Sequence, residues 1–215
     1  MEVLYADRTL AVVIKPAGVL STDESGGVPE LLRKELGDEN VRTVHRLDRV
    51  VGGVMVLART KRAAAELSEQ IRADHFGKTY LAAVSGVPEE KAGTLRHFLH
   101  RNKQEKKTYA VAEGAAEAQE AVLDYTVLET VEGYSLVSIS LHTGRTHQIR
   151  CQLSTVGLPI VGDKKYGSEQ PVDDGIALWS QRLRLTHPRT GETMEFAQNP
   201  PAVWPWTAFS TLHGA

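Results

Sequence analysis

The sequence predicts an α+β fold, and three observations carry that prediction. Several apolar runs have the length of strands, two alternating segments flank the turn pair Glu132-Gly133, and other segments repeat apolar residues at helical spacing. With 215 residues, 41% of them hydrophobic and 24% charged, the chain has the composition of an ordered soluble globule, as one large domain or two small lobes.

Taken in order, residues 3–5 and 10–14 are short apolar runs around Ala6-Asp7-Arg8-Thr9 and predict a hairpin that ends at Pro16-Ala17-Gly18. Pro29 stands near the start of a helix through Leu36, with Gly37 as its stop. Residues 54–58 are an unbroken apolar strand. Thr60 caps the helix that follows, in which Ala64, Leu67, Ile71 and His75 recur on the face that packs against that strand. Gly77 closes this helix, and residues 78–87 form the next strand, ending at Pro88. Residues 94–107 have weak periodicity and several cations. Residues 115–121 have the composition of a helix. The strongest hairpin signal joins residues 122–131 to 134–141. Residues 146–156 are helical in pattern, with Ile149 and Leu153 inward and Gly157 as the stop. Residues 178–185 and 194–196 are closing strands, ended by Pro200-Pro201.

Composition excludes some classes of function. The N-terminus has no basic start and no long apolar core, so neither a signal peptide nor a membrane span is expected, and the cytoplasm is the expected location. The single Cys151 cannot form an internal disulfide. No Cys/His cluster has metal-ligand spacing, so no metal is expected, and no Rossmann glycine fingerprint or phosphate-cradling loop points to a nucleotide cofactor. A formal charge of −2 is low for a nucleic-acid enzyme. Local basic runs at residues 59–62, 101–107 and 164–165, with Arg182, Arg184 and Arg189, predict a confined basic face with modest non-specific affinity.

The candidate chemistry lies in Val44-His45-Arg46-Leu47-Asp48-Arg49, where a carboxylate stands between two arginines ahead of the Gly52-Gly53 pair. A second dense run, Thr143-Gly144-Arg145-Thr146-His147-Gln148-Ile149-Arg150, is rich in hydrogen-bonding side chains. With these two runs the sequence resembles the RluA-type pseudouridine synthases. Lys15-Pro16-Ala17-Gly18 is similar to the family's opening Lys-Pro-x-Gly, and His45-Arg46-Leu47-Asp48 matches its catalytic pattern in full. Lys78-Thr79-Tyr80-Leu81-Ala82, Gly144 through Arg150, Gly157 through Asp163 with Tyr166-Gly167, and His187-Pro188 with Thr190-Gly191-Glu192 follow in the family's order.

The resemblance implies a pseudouridine synthase fold over a single catalytic domain, 1–215: a mixed, mostly antiparallel sheet in two lobes, with flanking helices and a central cleft. It places a variable hairpin at 94–107 and a hairpin or loop at 115–121. It implies isomerisation of specific uridines in structured ribosomal or transfer RNA, without a cofactor, by a chain expected to be a monomer. In the family the aspartate matching Asp48 is essential, whether it attacks the anomeric carbon or abstracts a sugar proton. Tyr80 matches the aromatic lying against the target base, and Arg145 the arginine paired with the carboxylate. Arg150 could take that part instead, or bind phosphate. Arg46 matches a residue able to fill the gap left by an extruded base. The expected RNA-binding residues are therefore Arg46, His45, Arg150, Lys164 and Lys165, with His45 and His147 acting also as hydrogen-bonding supports. Lys15 and Pro16 are expected at the cleft rim, and Asp163 and Tyr166 in structural parts. The family's ancillary N-terminal RNA-binding module is expected to be missing ahead of the first strand.

Two departures stand out. Val51-Gly52-Gly53 replaces the usual Thr-Ser-Gly, and Leu178-Trp179-Ser180 replaces Leu-His-Ala. The first is expected to be tolerated, with Val51→Thr and Gly52→Ser leaving turnover within a few-fold. It also motivates the alternative of a catalytically silent RNA-binding homologue. An unrelated His/Asp hydrolase is opposed by the lack of a Ser or Cys nucleophile elbow.

Overall fold

The computed structural model describes residues 1–213. In chain order the main elements are β1 (Glu2–Ala6), β2 (Leu10–Lys15), α1 (Val28–Leu36), β3 (Arg42–Thr43), β4 (Gly52–Ala58), α2 (Lys61–Arg72), β5 (Gly77–Ser85), β6 (Ala92–Asn102), β7 (Lys107–Val111), β8 (Gln119–Val131), β9 (Tyr134–Leu141), α3 (Gln148–Thr155), β10 (Leu178–Thr186) and β11 (Thr193–Ala197). Contacts divide the chain into two compact units. One comprises Met1–Thr79 and Trp179–Pro200, and the other Tyr80–Leu178 with the residues from Pro201 onward.

In the first unit the strands run β1-β2-β4-β10, with β11 on β10 and β3 on β4. The β1/β2, β2/β4 and β10/β11 pairs are antiparallel, and β4/β10 is parallel. Every residue of β4 is buried, which explains its unbroken apolar sequence. Val54 and Val56 pack with Leu10 and Val12 of β2, Leu183 and Leu185 of β10, and Ala63 and Leu67 of α2. Each fully buried aliphatic side chain of this kind contributes about 1.5–3 kcal/mol. The Thr60 side chain accepts a hydrogen bond from the Ala63 N–H (3.0 Å), as its position before α2 predicts. The C-terminal end differs from expectation: α2 stops at Arg72, and Asp74 takes φ 56°, so His75 lies outside the helix. Gly77 is consequently the first residue of β5 rather than a helix stop. The two-residue β3 is too short to leave a pattern in the sequence.

The second unit carries strands in the order β5-β9-β8-β6-β7. The β6/β7, β6/β8 and β8/β9 pairs are antiparallel. Glu132 and Gly133 both adopt positive φ, 49° and 82°, which gives the β8/β9 turn the twist that adjacent strands need. Residues 94–107 form most of the β6/β7 hairpin. Residues 115–118 are turns and not helix, because residues 119 and 120 are already paired in β8. The α3 helix starts at Gln148, two residues later than the pattern suggests, since His147 caps it with φ 56°. Ile149 and Leu153 are buried as predicted, and Cys151 joins Leu99, Ala121 and Tyr166 in a small core. Among the described residues no helix is long and apolar enough to cross a membrane.

Candidate active site

In the first unit Asp48 is half-buried on the turn that leads into β4, which the Val51 N–H closes by donating to the Asp48 carbonyl (3.0 Å). Neighbouring segments fasten this turn on both sides of Asp48. Before it, the buried Ser21 hydroxyl donates to the Leu47 carbonyl (2.8 Å) and accepts from the Leu47 N–H (3.1 Å). After it, the Gly18 N–H donates to the Arg49 carbonyl (2.8 Å), and Arg49 Nε returns a bond to the Gly18 carbonyl (2.9 Å). The carboxylate is thus carried on backbone held by a short turn and by residues 18–21, which restricts where it can point.

Lys15 lies directly under this turn and corrects the expectation of a rim residue. It is 0% exposed, and its ammonium donates to the carbonyls of Pro16 (2.9 Å), Val19 (2.7 Å) and Arg49 (3.3 Å). Burial lowers its pKa to about 8, against the opposing pull of the Asp48 charge. Through these bonds the buried ammonium ties the Lys-Pro-x-Gly loop to the Asp48 loop.

His45 Nε2 accepts a hydrogen bond from the Val56 N–H (3.1 Å), and its ring lies 5.5 Å from that of Phe76. Burial, with the Lys78 charge second, pushes its pKa down to about 3, so it is neutral at physiological pH. Its Nε2 holds the loop on β4, a supporting contact of the kind expected of it. Arg46, next in sequence, is exposed.

In the second unit Arg145 is exposed, and the buried Gln148 organises the loop that carries it. Gln148 Oε1 accepts from the Arg145 N–H (3.0 Å) and the Thr143 hydroxyl (2.7 Å), while its amide donates to the Val122 carbonyl (3.1 Å). Arg145 Nε donates to the Glu120 carbonyl (2.9 Å). His147 Nδ1 lies 2.8 Å from the Tyr166 hydroxyl and 3.3 Å from Arg101. Arg101 can only donate, so Nδ1 is an acceptor, and the Tyr166 hydroxyl, which itself accepts from the Thr108 N–H (2.8 Å), donates to it. His147 is a support, as its pattern suggests. Tyr80, on β5, is 7% exposed.

Arg150 requires a correction. It forms a two-pronged ion pair with Asp163, Nε–Oδ2 2.6 Å and Nη2–Oδ1 2.9 Å, and its guanidinium lies 4.9 Å from the Tyr166 ring centre. With side chains only 6% and 1% exposed, the pair is internal, so Arg150 has no surface from which to bind phosphate. The structural parts expected of Asp163 and Tyr166 are those observed. Lys164 and Lys165 are exposed on the short turn of 3₁₀ helix Lys164–Tyr166 between them, and Lys165 Nζ donates to the Lys106 carbonyl (3.1 Å).

An open groove of about 470 Å³ in this unit is lined by Arg101, Lys103, Thr108, Gln119 and Arg145, with Glu117 as its acidic member. Arg101 and Lys103 were visible in the sequence only as members of a basic run. Their shared groove with Arg145 depends on the β6/β7 pairing, which the weak periodicity did not reveal. Lys15 and Gln148 left no signal at all beyond their motifs, because burial decides their parts. Among the described residues no group of His, Cys, Asp and Glu is arranged to hold a metal ion.

Comparison with known proteins gives this arrangement a family. Residues 9–155 match the model of the RNA pseudouridylate synthases. An uncharacterized RNA pseudouridine synthase of Bacillus subtilis is 31% identical over 91% of this chain and 68% of its own length. The ribosomal large subunit pseudouridine synthase D of Pseudomonas aeruginosa is 31% identical over 96% of this chain and 70% of its own length. The structure of human RNA pseudouridylate synthase domain containing 1 superposes with a TM-score of 0.79 at 27% identity, over 95% of this chain and 84% of that one. The fastened Asp48 turn and the Arg145 loop both fall within the matched region, and the chain belongs to the RNA pseudouridylate synthase family, as an RNA pseudouridine synthase.

Proposed function

We propose that this protein converts specific uridines in structured ribosomal or transfer RNA to pseudouridine, with Asp48 as the reacting carboxylate. The observation that supports this most is the Asp48 turn itself, fastened through Leu47 and Arg49 above the buried Lys15 ammonium. The reaction breaks the bond from N1 of uracil to C1′ of the ribose and forms one from C5 to C1′. The C5 hydrogen leaves as a proton, and N1 ends protonated. No electrons are gained or lost, so the chemistry calls for no hydride carrier or nucleotide cofactor. Asp48 either attacks C1′ or removes a sugar proton, and each route needs an ionised carboxylate.

In this reading Tyr80 lies against the target base, Arg145 supports the carboxylate, and Arg46 fills the place of the extruded uridine. The groove containing Arg101, Lys103 and Arg145 takes the phosphates of a flanking strand. The reading includes a monomer and a cytoplasmic location, the latter supported by a single buried cysteine. The test is tritium release from RNA carrying tritium at uracil C5, with purified protein, no added cofactor and chelator present. Release is expected; its absence from every ribosomal and transfer RNA tried would favour the silent RNA-binding alternative.

A further inference from the structure

Gly52 and Trp179 are in register across the parallel β4/β10 pair, as are Gly53 and Ser180. A Cβ on Gly52 would lie 2.6 Å from Trp179 Cζ3, 3.0 Å from Cε3 and 3.3 Å from the Lys15 carbonyl. Backbone strain is not the reason for glycine here, since Gly53, at φ 123°, takes a positive φ and Gly52 does not. The indole excludes any side chain at 52. Trp179 is 9% exposed, and its Nε1 donates to the Gln198 carbonyl (2.8 Å), so swinging the ring aside would break this bond. The ring of Trp179 therefore stands against the expectation that Gly52→Ser is tolerated.

These are also the two places where the chain departs from the family pattern, serine at 52 and histidine at 179. One departure answers the other, because a large ring at 179 requires glycine at 52. Gly52 follows directly on the turn that the Val51 N–H and Asp48 carbonyl close, and the Ser180 backbone lies so close to Gly53 that a Cβ there would be 2.3 Å from its carbonyl oxygen. Trp179-Ser180 thus backs the point where the Asp48 turn enters β4.

We propose that Trp179 is a positioning residue for Asp48, its ring filling the space over Gly52 and so fixing the exit of the catalytic turn. The inference rests on Asp48 being the reacting carboxylate. It is tested with Trp179→Ala, Trp179→Phe, Gly52→Ser and the double variant Gly52→Ser/Trp179→His, reading melting temperature, RNA dissociation constant and single-turnover isomerisation at saturating RNA. Trp179→Ala is expected to lose about 10–100-fold in the chemical step while still binding RNA, the range that small misplacements of a reacting group produce. Trp179→Phe restores most of that loss, since it keeps a ring over Gly52. Gly52→Ser loses rate alone, and the double variant recovers it. A wild-type rate in Gly52→Ser, or a double variant no faster than Gly52→Ser, would overturn the proposal even if Trp179→Ala fails to fold. Asp48→Asn is measured alongside: if it remains active, the catalytic reading falls, whereas an inactive Asp48→Asn with unimpaired Trp179→Ala removes the positioning role alone.

Discussion

Lys15, buried, and His45, partly buried, lie by the Asp48 turn, and both have pKa values pushed below the ordinary ones. A lowered basic pKa means that the unfolded chain binds the proton more readily, so stability rises with pH between the folded and unfolded values. For His45 that window runs from about 3 to 6.5, and for Lys15 from about 8 to 10.5. Stability from the neutral His45 is present above pH 6.5 and is lost as pH falls towards 3. His45→Gln keeps an acceptor for the Val56 N–H without a titrating group. Urea unfolding from pH 6 to 4 should then show the wild type losing up to about 1.4 kcal/mol per pH unit more than His45→Gln; parallel slopes would contradict this. Arg150→Met should cost about 3–5 kcal/mol by leaving Asp163 buried and unpaired, with RNA affinity of the folded fraction unchanged. A selective loss of affinity would return Arg150 to the phosphate-binding role. The motif that carries Asp48 could be read from the sequence because it is contiguous. The parts of Lys15 and Arg150 could not, because the same residue types serve equally as surface cations or internal struts, and only burial separates the two.

Among the elements, α3 and its approach show how a helix start can aim a side chain. His147 takes φ 56° to open the helix, and Gln148 then reaches back to Thr143, Arg145 and Val122. Gln148→Leu keeps the size but removes these bonds, and should cost about 1–3 kcal/mol for the groups left unsatisfied. It should also slow isomerisation at saturating RNA by more than that destabilisation explains. Equal unfolding midpoints and rates for variant and wild type would contradict the arrangement. The α1, α2 and β8/β9 elements were legible because their periodicity and turn residues are local. The end of α2 was not, since Asp74 and not Gly77 carries the left-handed residue, and β3 leaves no periodicity in two residues.

For the whole molecule, a charge of −2 makes long-range attraction to RNA weak and leaves binding to local groups. Arg101→Gln with Lys103→Gln should lower the slope of log affinity against log salt by about 1–2, the loss of one or two phosphate contacts. Lys164→Gln with Lys165→Gln should lower it less, because Lys165 already donates to the Lys106 carbonyl. The reverse order would move the RNA track away from the groove. The central claim is that Asp48 performs the chemistry, and it is tested most directly by single-turnover isomerisation by Asp48→Asn, with RNA well above its dissociation constant. The amide keeps the shape of the carboxylate but can neither attack nor accept the proton, so binding should persist while pseudouridine formation and C5 tritium release disappear; pseudouridine forming at an appreciable rate in Asp48→Asn would contradict the account.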